Sequence, residues 1–591
     1  MSGSVLTWRQ LRDLRLAEFE QAGDTWHQVS GRADADRVRV DRAMSAKLRE
    51  TQQSESAEAA LGRLQRLSRN FQYLHTECGL TRTALNGLAG DLAEPQRQLR
   101  LALEEAGALR FTVHEDGSVA YPAAPVRTAL GDQEAPGGRA RGRLLQQRSP
   151  FDDSAPFGQL NPHAEKAQDI ADRIGRAVLA AASIDARYAR TLEGLRAAHG
   201  LDVTEATLRD VAGDTAAVRD AAGHHLADGV PADGSPAERK AWWESLSEEQ
   251  RREYLDIAPD LIGNLDGIPA AVRDEANRRY LPLLIDELER RGGDGAESKL
   301  EALRMIQDRL DEPSAPPMFL LGIGAEGNGR AIVAYGNPDT SRNVSAYVPG
   351  LGTKLDAAFV DETMMRAQDT AMGARSVDPS SAAIVWLGYD APQHGDVMLT
   401  GDAERGAPAY NRFMAGLSAT NDHADPHLTA IGHSYGSLTV GTAARQSGGI
   451  PGVDDVILLG SPGVGVDRAQ DLGVGKEHVF VGAADNDPVT HLPSRTESAV
   501  GMQVGGSTGV LLARDLLDRG NDDVYFGKDP ASEAFGARRF KVDDGPRMVR
   551  DGGLFDAHSQ YFTRDVDEES ANNIARIVAG KPDRVTTEEY R

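Results

Sequence analysis

Ser434 lies in a short run of residues whose types and spacing suit nucleophilic chemistry. The run His427–Ser437 reads HLTAIGHSYGS, and it places Gly432 and Gly436 two positions before and after the serine. In a G-x-S-x-G elbow the serine occupies a strained turn from a strand into a helix, where a Cβ on either flanking residue would strike the neighbouring backbone. The sequence therefore predicts a nucleophile elbow at Ser434.

A second G-x-S-x-G run, Gly505–Gly509 around Ser507, is the weaker candidate. Leu428–Ile431 leads into the first turn as a buried strand should, whereas the segment before Ser507 is interrupted by Gly501. Two further apolar strands are predicted after Ser434, and no comparable pair follows Ser507. We therefore assign the elbow to Ser434.

A catalytic serine also needs an acid and a base. An imidazole must remove the hydroxyl proton, and a carboxylate must hold that imidazole in the correct tautomer. The two strands after the elbow are predicted at Asp455–Leu459 and His478–Val481, and the second opens into a loop that contains Asp485 and Asp487. Either aspartate fits the role of the acid. Asp487 is favoured because an Asp-Pro-Val sequence just past a strand fixes a tight turn that aims its carboxylate.

The base follows by elimination among the fourteen histidines of the chain. Only His491 and His558 come after the acidic loop. His491 lies on the same loop as Asp487, so it is poorly placed to stand between the acid and the serine. His558 remains, with an extended segment predicted before it at Arg539–Val542 and a last helix predicted after it at Ala571–Val578.

An oxyanion hole is predicted where a strand runs into a glycine-bearing turn. Asn343–Val348 has the apolar pattern of a strand and continues into Pro349–Thr353, which reads PGLGT. Glycines let the backbone approach a substrate closely. The backbone amides of Leu351 and of Tyr435, the residue after the nucleophile, are therefore the candidate donors to an oxyanion.

Longer motifs resemble a known family. The blocks are WWESLSEEQ from Trp242, LIGNLDGIPAAVRDEANR from Leu261, and then VPGLGT, GHSYGS and LLGSPGVGV. Together they resemble a widespread bacterial, actinobacterial-type α/β-hydrolase family whose substrate is not established, and the similarity covers roughly residues 235–565. The resemblance implies an α/β-hydrolase fold, a mostly parallel twisted sheet flanked by helices. It also implies Ser434 as nucleophile, Asp487 as acid and His558 as base.

Composition limits the classes of function. A chain of 591 residues is too long for one core, and 40% hydrophobic with 26% charged residues is typical of a globular protein. A net charge of -25 argues against nucleic acid or an anionic membrane as the main partner, since phosphates need a basic face. The single cysteine, Cys78, excludes an internal disulfide framework and a Cys-rich metal cluster.

The pattern along the chain predicts four regions. They are a helical hairpin or bundle at 1–108, a hairpin and Gly/Pro/Arg-rich linker at 109–160, a helical region packing on the hydrolase domain at 161–315, and an α/β-hydrolase domain at 316–591 with a candidate lid at 492–537. The first region is similar in style to the WXG-type helical modules of type VII secretion, although the Trp-x-Gly turn is missing. It is therefore a candidate surface for a helical protein partner.

Signals for export are weak. The N-terminus lacks the apolar core of a secretory signal, and the sequence contains no stretch of eighteen apolar residues. We therefore expect no transmembrane segment and a cytoplasmic location. The alternative is a type VII-like export route, for which Tyr73 and Glu77 have the Tyr-x-x-x-Glu spacing, although an aromatic and a carboxylate on one helical face is the commoner explanation.

Two further motifs are expected to have no ligand. Gly322-x-Gly324-x-x-Gly327 has a dinucleotide-binding spelling, but a second strand follows it within a few residues, so a β-hairpin is predicted and no cofactor is expected. His423-x-Asp-x-His427 has metal-ligand residue types, but it lies just before the elbow strand, where a solvated loop is favoured over a metal site.

The sequence thus predicts a serine hydrolase, of esterase or lipase type, that cleaves an ester or related small or lipid-like acyl substrate through an acyl-enzyme. Two alternatives use the same fold. One is a non-catalytic or secretion-associated binding protein, because a fold does not guarantee activity. The other is an acyltransferase with the same triad, which differs only in the acceptor that the pocket admits.

Overall fold

The computed structural model describes residues 6–128, 131–143, 161–195, 203–293, 295–393, 399–492, 523–546 and 556–591. The chain forms two compact units, Met1–Gly229 and Val230–Arg591. The boundary between them lies inside the range 161–315 that was predicted as one helical region. The first two helices of that range belong to the first unit, and the later helices belong to the second.

The first unit is mainly helical, which agrees with the predicted helical N-terminal region. Thr7 begins the first helix with a capping box, and Ser54 caps the fourth and longest helix, which continues through Pro95. A π-helical segment, Arg39–Ser45, joins the second and third helices. The helices are α1 Trp8–Asp13, α2 Leu16–Val38, α3 Ala46–Thr51, α4 Glu55–Ala108, α5 Pro162–Gly194 and α6 Glu205–Asp228.

Helix α4 is the centre of the first unit, because α2, α5 and α6 all pack against it. Short strands follow α4, and the first two form a hairpin inside the range predicted as hairpin and linker, with Gly117 in the turn at a φ of +77°. Part of the range predicted as hairpin and linker also forms strands. The strands are β1 Thr112–Val113, β2 Val119–Tyr121, β3 Ala124–Thr128, β4 Gly131–Ala135 and β5 Gly138–Ala140.

The second unit begins with the helices α7 Pro236–Ser245, α8 Glu248–Ile257, α9 Pro259–Gly263, α10 Ala270–Arg291 and α11 Ala296–Asp311. Of these, α9 and α10 pack against the edge strand of its sheet. Asn264 both donates to and accepts from the backbone of Ile323, as a neighbouring strand would. The fully buried Asn277 donates to the carbonyl oxygens of Gly263 and Leu320, each at 2.9 Å. The long asparagine-bearing sequence block therefore satisfies the outer edge of the sheet.

The core of the second unit is an eight-stranded sheet in the order β15-β12-β11-β10-β8-β9-β7-β6. Its strands are β6 Met318–Gly324, β7 Arg330–Tyr335, β8 Asn343–Val348, β9 Ser381–Leu387, β10 His427–His433, β11 Val453–Leu459, β12 Val479–Gly482 and β15 Arg538–Arg539, and a separate hairpin pairs β13 Asp523–Val524 with β14 Gly527–Lys528. From β15 to β9 the neighbours are parallel, whereas β7 is antiparallel to β9 and β6. The Gly322–Gly327 motif thus lies in a β-hairpin, as predicted.

Helices cover both faces of this sheet, so most residues of its central parallel strands are buried and many of them are apolar. The covering helices are α12 Met364–Val377, α13 Gly401–Thr420, α14 Tyr435–Ala444, α15 Asp556–Ser559 and α16 Glu568–Val578. Leu428 and Ile431 of β10 point into different layers of the core, one on each face of the sheet. Among the described helices, none is long and apolar enough to cross a bilayer.

Candidate active site

The predicted nucleophile stands where β10 ends and α14 begins. Ser434 has φ +56° and ψ -132°, and among the described residues only Arg110 is another non-glycine residue with positive φ. A serine in this region of backbone space is strained, and such strain persists only where the surrounding structure enforces it. The parallel sheet and the helix behind it enforce it at Ser434.

The two flanking glycines have steric causes. A Cβ on Gly432 would lie 2.6 Å from the Cα of Ser437, and a Cβ on Gly436 would lie 2.1 Å from the carbonyl oxygen of Val348. No side chain fits at those distances from backbone atoms. Glycine is therefore the residue that fits at both positions of this turn.

The end of the neighbouring strand lies close to Ser434, Asp487 and His558. The amide of Ser434 donates to the carbonyl of Leu459 at 2.9 Å. The next residue, Gly460, has φ +51°, and a Cβ there would lie 2.7 Å from Oδ2 of Asp487 and 2.8 Å from Nδ1 of His558. Residues that follow the C-terminal ends of β10 and β11 are thus close to the acidic loop and to the C-terminal segment that contains His558.

Asp487 and His558 form a buried pair. Nδ1 of His558 lies 3.0 Å and 2.9 Å from the two carboxylate oxygens of Asp487, which also accept from the Tyr561 hydroxyl at 2.6 Å and from the Val489 amide at 2.9 Å. Burial by itself raises the pKa of Asp487, but the hydrogen bonds from His558, Tyr561 and Val489 outweigh it, and the pKa lies below the ordinary value. The carboxylate of Asp487 is therefore charged at neutral pH.

The contact also assigns the roles of the imidazole nitrogens. A carboxylate only accepts hydrogen bonds, so Nδ1 of His558 carries a proton and Nε2 is left to receive one. This tautomer is assigned from the hydrogen-bond partner. It is the tautomer that a general base for Ser434 requires.

The alternative acid and the alternative base are placed elsewhere. The side chain of Asp485 is 59% exposed and pairs with Arg539 at 3.1 Å and Arg591 at 3.4 Å. Nε2 of His491 lies 3.0 Å from the carbonyl oxygen of Asp485. Of the two aspartates left open by the sequence, only Asp487 contacts His558.

The glycine-bearing turn after β8 lies against Ser434. A Cβ on Gly350 would be 2.8 Å from both the Cβ of Ser434 and the amide nitrogen of Tyr435. Tyr389 fixes this turn by donating its hydroxyl to the Pro349 carbonyl at 2.7 Å. The amide of Tyr435 is the first of α14, where helical amides have no acceptor within the helix. The neighbouring Leu351 is 45% exposed.

The histidines of the metal-like motif have other partners. His427 is the first residue of β10, at the opposite end of that strand from Ser434, and its Nε2 lies 2.8 Å from Oδ2 of the buried Asp455. Asp455 also contacts Nδ1 of His478 at 2.7 Å, and Nε2 of His423 faces the Thr340 carbonyl. His427 is therefore in a strand and ion-paired, not in a solvated loop. Within the described ranges, no three His, Cys, Asp or Glu side chains converge as a metal site would require.

Two residues of this site were missed by sequence reasoning. Tyr561 is three positions after His558, so a helical turn there would have indicated that both reach the same acid. His433 lies inside the elbow motif, and its Nε2 is 2.7 Å from the carbonyl oxygen of His558. No sequence signal indicates that second contact, because it joins distant parts of the chain.

Comparison with known proteins identifies the family of this chain. A profile described as alpha/beta hydrolase matches residues 325–497. An uncharacterized protein of Mycobacterium bovis is 37% identical over 202 residues, which are 33% of this chain and 75% of that protein. This chain belongs to the α/β-hydrolase family. The predicted fold class is therefore confirmed.

A second relative matches more of the chain. An uncharacterized protein of Mycobacterium tuberculosis is 30% identical over 399 residues, or 61% of this chain. The match spans 57% of that relative's own length. The resemblance of residues 1–108 to WXG-type modules stays a prediction. Ser507 and residues 493–522 of the predicted lid lie outside the described residues.

Esterases are among the solved structures with some similarity to this chain. A hyperthermophilic esterase from the archaeon Pyrobaculum calidifontis is 14% identical with a TM-score of 0.28, and the match covers 51% of this chain and 97% of that one. An arylesterase is 10% identical with a TM-score of 0.26, covering 52% of this chain and 97% of the other.

Proposed function

We propose that the second unit is a serine hydrolase that cleaves an ester or related acyl substrate through an acyl-enzyme. Ser434 is the nucleophile, His558 the general base and Asp487 the acid that orients it. The amides of Tyr435 and Leu351 bind the oxyanion. The observation that supports this assignment best is the strained Ser434 beside Gly460, whose α-carbon faces both members of the Asp487–His558 pair.

The chemistry follows from these positions. Nε2 of His558 takes the hydroxyl proton as Oγ of Ser434 attacks the acyl carbon, and the negative charge that forms on the carbonyl oxygen is stabilised by the two amides. Asp487 remains charged and stabilises the imidazolium. The imidazolium then gives its proton to the leaving group, and a water, deprotonated by the same imidazole, releases the acyl group from Ser434.

The nucleophile is tested by labelling the full chain with a fluorophosphonate probe. Wild type should react at one site, and Ser434→Ala should not react. Ser447→Ala is a matched control, because Ser447 is an exposed serine just after α14 and its loss should leave labelling unchanged. If wild type and Ser434→Ala react alike, the assignment of the nucleophile is wrong.

The same experiment separates the alternatives. A binding protein that uses the fold as a platform would give no Ser434-dependent labelling, and its affinity for a partner would be indifferent to Ser434→Ala. An acyltransferase would be labelled like a hydrolase. It would differ when an added alcohol or amine, rather than water, collects the acyl group from a p-nitrophenyl ester.

Two exposed leucines are connected to residues beside the serine, Leu351 to Gly350 and Leu399 to Tyr435. Leu351 follows the glycine that lies on Ser434, and the carbonyl of Leu399 accepts the hydroxyl of Tyr435. Both leucine side chains are exposed, Leu399 by 60%. We therefore propose an uncharged, apolar acyl chain as substrate. A series of p-nitrophenyl esters of graded length should show an optimum beyond acetate, and a preference for acetate or for charged acyl groups would refute this choice.

A further inference from the structure

His433 contacts the base from within the elbow itself. It is the last residue of β10 and directly precedes Ser434, and its side chain is buried. Its Nε2 lies 2.7 Å from the carbonyl oxygen of His558, and the two imidazole rings stack with their centroids 4.6 Å apart and 29° between their planes. The same side chain thus meets both the backbone and the ring of the base.

The direction of this hydrogen bond is fixed by chemistry. A carbonyl oxygen only accepts, so Nε2 of His433 must donate. Burial lowers the pKa of His433 well below its ordinary value, and the positive charges that His558 and Arg366 can carry lower it further. His433 is therefore a neutral donor, and a neutral ring can stack on an imidazolium without charge repulsion.

His558 needs such an anchor because its own helix is short. Helix α15, Asp556–Ser559, is a single turn, and one turn of helix is not stable by itself. The side chain of His558 is held by Asp487, but that contact does not bind the main-chain carbonyl of His558. The bond from His433 fixes the main chain, and it does so from the residue next to the nucleophile.

We propose that His433 is a positioning residue, which holds the main chain of His558 so that Nε2 of the base faces Ser434. This inference rests on the proposed function of the site. It explains a histidine inside the elbow by two contacts that a packing role alone does not require. Phe562 and Tyr561 also stand edge-on to the His433 ring, with centroids 5.9 Å and 6.0 Å away.

The test compares two substitutions of similar size. His433→Phe keeps the ring and removes the donor, whereas His433→Gln keeps an amide donor close to the position of Nε2. We expect the labelling rate of Ser434, and kcat for the best p-nitrophenyl ester, to fall by about 10-fold to 100-fold in the phenylalanine variant, with KM unchanged. The glutamine variant should recover most of this loss.

Tyr410→Phe is the matched control. Tyr410 is also fully buried in the second unit and also donates to a backbone carbonyl, that of Ala346, but it does not touch the base. Its loss should leave kcat within about twofold of wild type, since a typical buried hydrogen bond affects stability rather than chemistry. An equal fall in Tyr410→Phe and His433→Phe would overturn the proposal.

A second measurement does not depend on catalysis. Hydrogen exchange of residues 556–562 should be faster in His433→Phe than in wild type, and close to wild type in His433→Gln. Unchanged exchange in the phenylalanine variant, or equal effects of both substitutions on kcat, would overturn the positioning role. If wild-type Ser434 is not labelled at all, the proposed function fails, and exchange alone then decides whether His433 anchors this segment.

Discussion

Two buried carboxylates, Glu77 in the first unit and Asp487 in the second, differ in their hydrogen-bond partners and in the direction of their pKa shifts. Asp487 in the second unit is fully buried and accepts hydrogen bonds from His558, Tyr561 and Val489. Glu77 in the first unit is only 6% exposed, and within the described part of the chain neither of its carboxylate oxygens has a hydrogen-bond partner.

The protonation of each carboxylate depends on the hydrogen-bond donors around it and not on its burial alone. The donors around Asp487 overcome desolvation and lower its pKa, whereas burial and the negative charges of Asp214 and Asp210 raise the pKa of Glu77 to about 7. Asp487 is therefore charged at neutral pH beside His558. Glu77, on helix α4 where α6 packs, instead takes up a proton near neutral pH.

The largest effect is expected when the charge of Asp487 is removed. Asp487→Asn should slow labelling of Ser434 by about 10³-fold to 10⁴-fold, because an amide holds the imidazole in the wrong tautomer. Asp485→Asn is the control two residues away, whose exposed carboxylate pairs with arginines, and it should stay within about twofold of wild type. Equal losses in the two variants would mean that the acid has been misassigned.

The second test removes one donor and leaves the acid in place. Tyr561→Phe should lower the free energy of unfolding of the second unit by about 2 kcal/mol, since the hydrogen bond goes to a charged group. Because the folded pKa of Asp487 is lowered, its stabilisation is present above its ordinary pKa and lost only as the pH falls through the lowered value.

The loss in Tyr561→Phe should therefore be constant from pH 5 to pH 8. Hydrogen exchange of residues 453–482 at several pH values measures it. A loss that grows steadily across this range would show that the carboxylate is not charged throughout.

The third test concerns Glu77 in the first unit and the dependence of stability on pH. The raised pKa of Glu77 means that the folded protein holds a proton that the unfolded chain releases, so wild type loses stability as the pH rises from the ordinary value of 4.5 to about 7. Glu77→Gln cannot ionise, and it should be more stable than wild type by about 2 kcal/mol at pH 8, with little difference at pH 4.5.

Hydrogen exchange of residues 70–90 against pH measures this difference. Glu104→Gln, an exposed position on the same helix, should show no such pH dependence. A wild-type profile that is flat between pH 5 and pH 8 would contradict the comparison, because Glu77 would then be charged at no cost.

The smallest effect is expected at a second Asp–His contact. Asp455 contacts His427 and His478 near the N-terminal ends of β10 and β11. Ser434 lies at the opposite end of β10. Burial disfavours the charged imidazole of His427, but the Asp455 carboxylate outweighs this and raises its pKa. The resulting stability is present below the ordinary pKa of 6.5 and is lost as the pH rises through the raised value.

Asp455→Asn should therefore cost about 1 kcal/mol at pH 6 and less at pH 9, measured by hydrogen exchange of β10 and β11. Ser434 labelling at pH 7 should stay within about twofold of wild type. A large loss of labelling would mean that an Asp–His pair at this edge also serves the site.

Much of the site follows from local sequence. The apolar run before Ser434, the glycines around it and the order of strand, acidic loop and C-terminal histidine are local patterns with local physical causes. The motif of the asparagine-bearing block from Leu261 indicates the family, but it does not indicate what the block does in the structure. Only the fold shows that Asn277 and Asn264 satisfy the edge strand of the sheet.

The sequence by itself determined the elements and their order, because turns, strands and caps depend on neighbouring residues. The tertiary structure decided which side chains meet. Asp487 and His558 are 71 positions apart and His433 and His558 are 125 apart, and their contact depends on the parallel register of β10, β11 and β12. Whether a buried carboxylate is charged depends on hydrogen-bond donors from distant parts of the chain. The sequence therefore does not show that Asp487 has a lowered pKa and Glu77 a raised one.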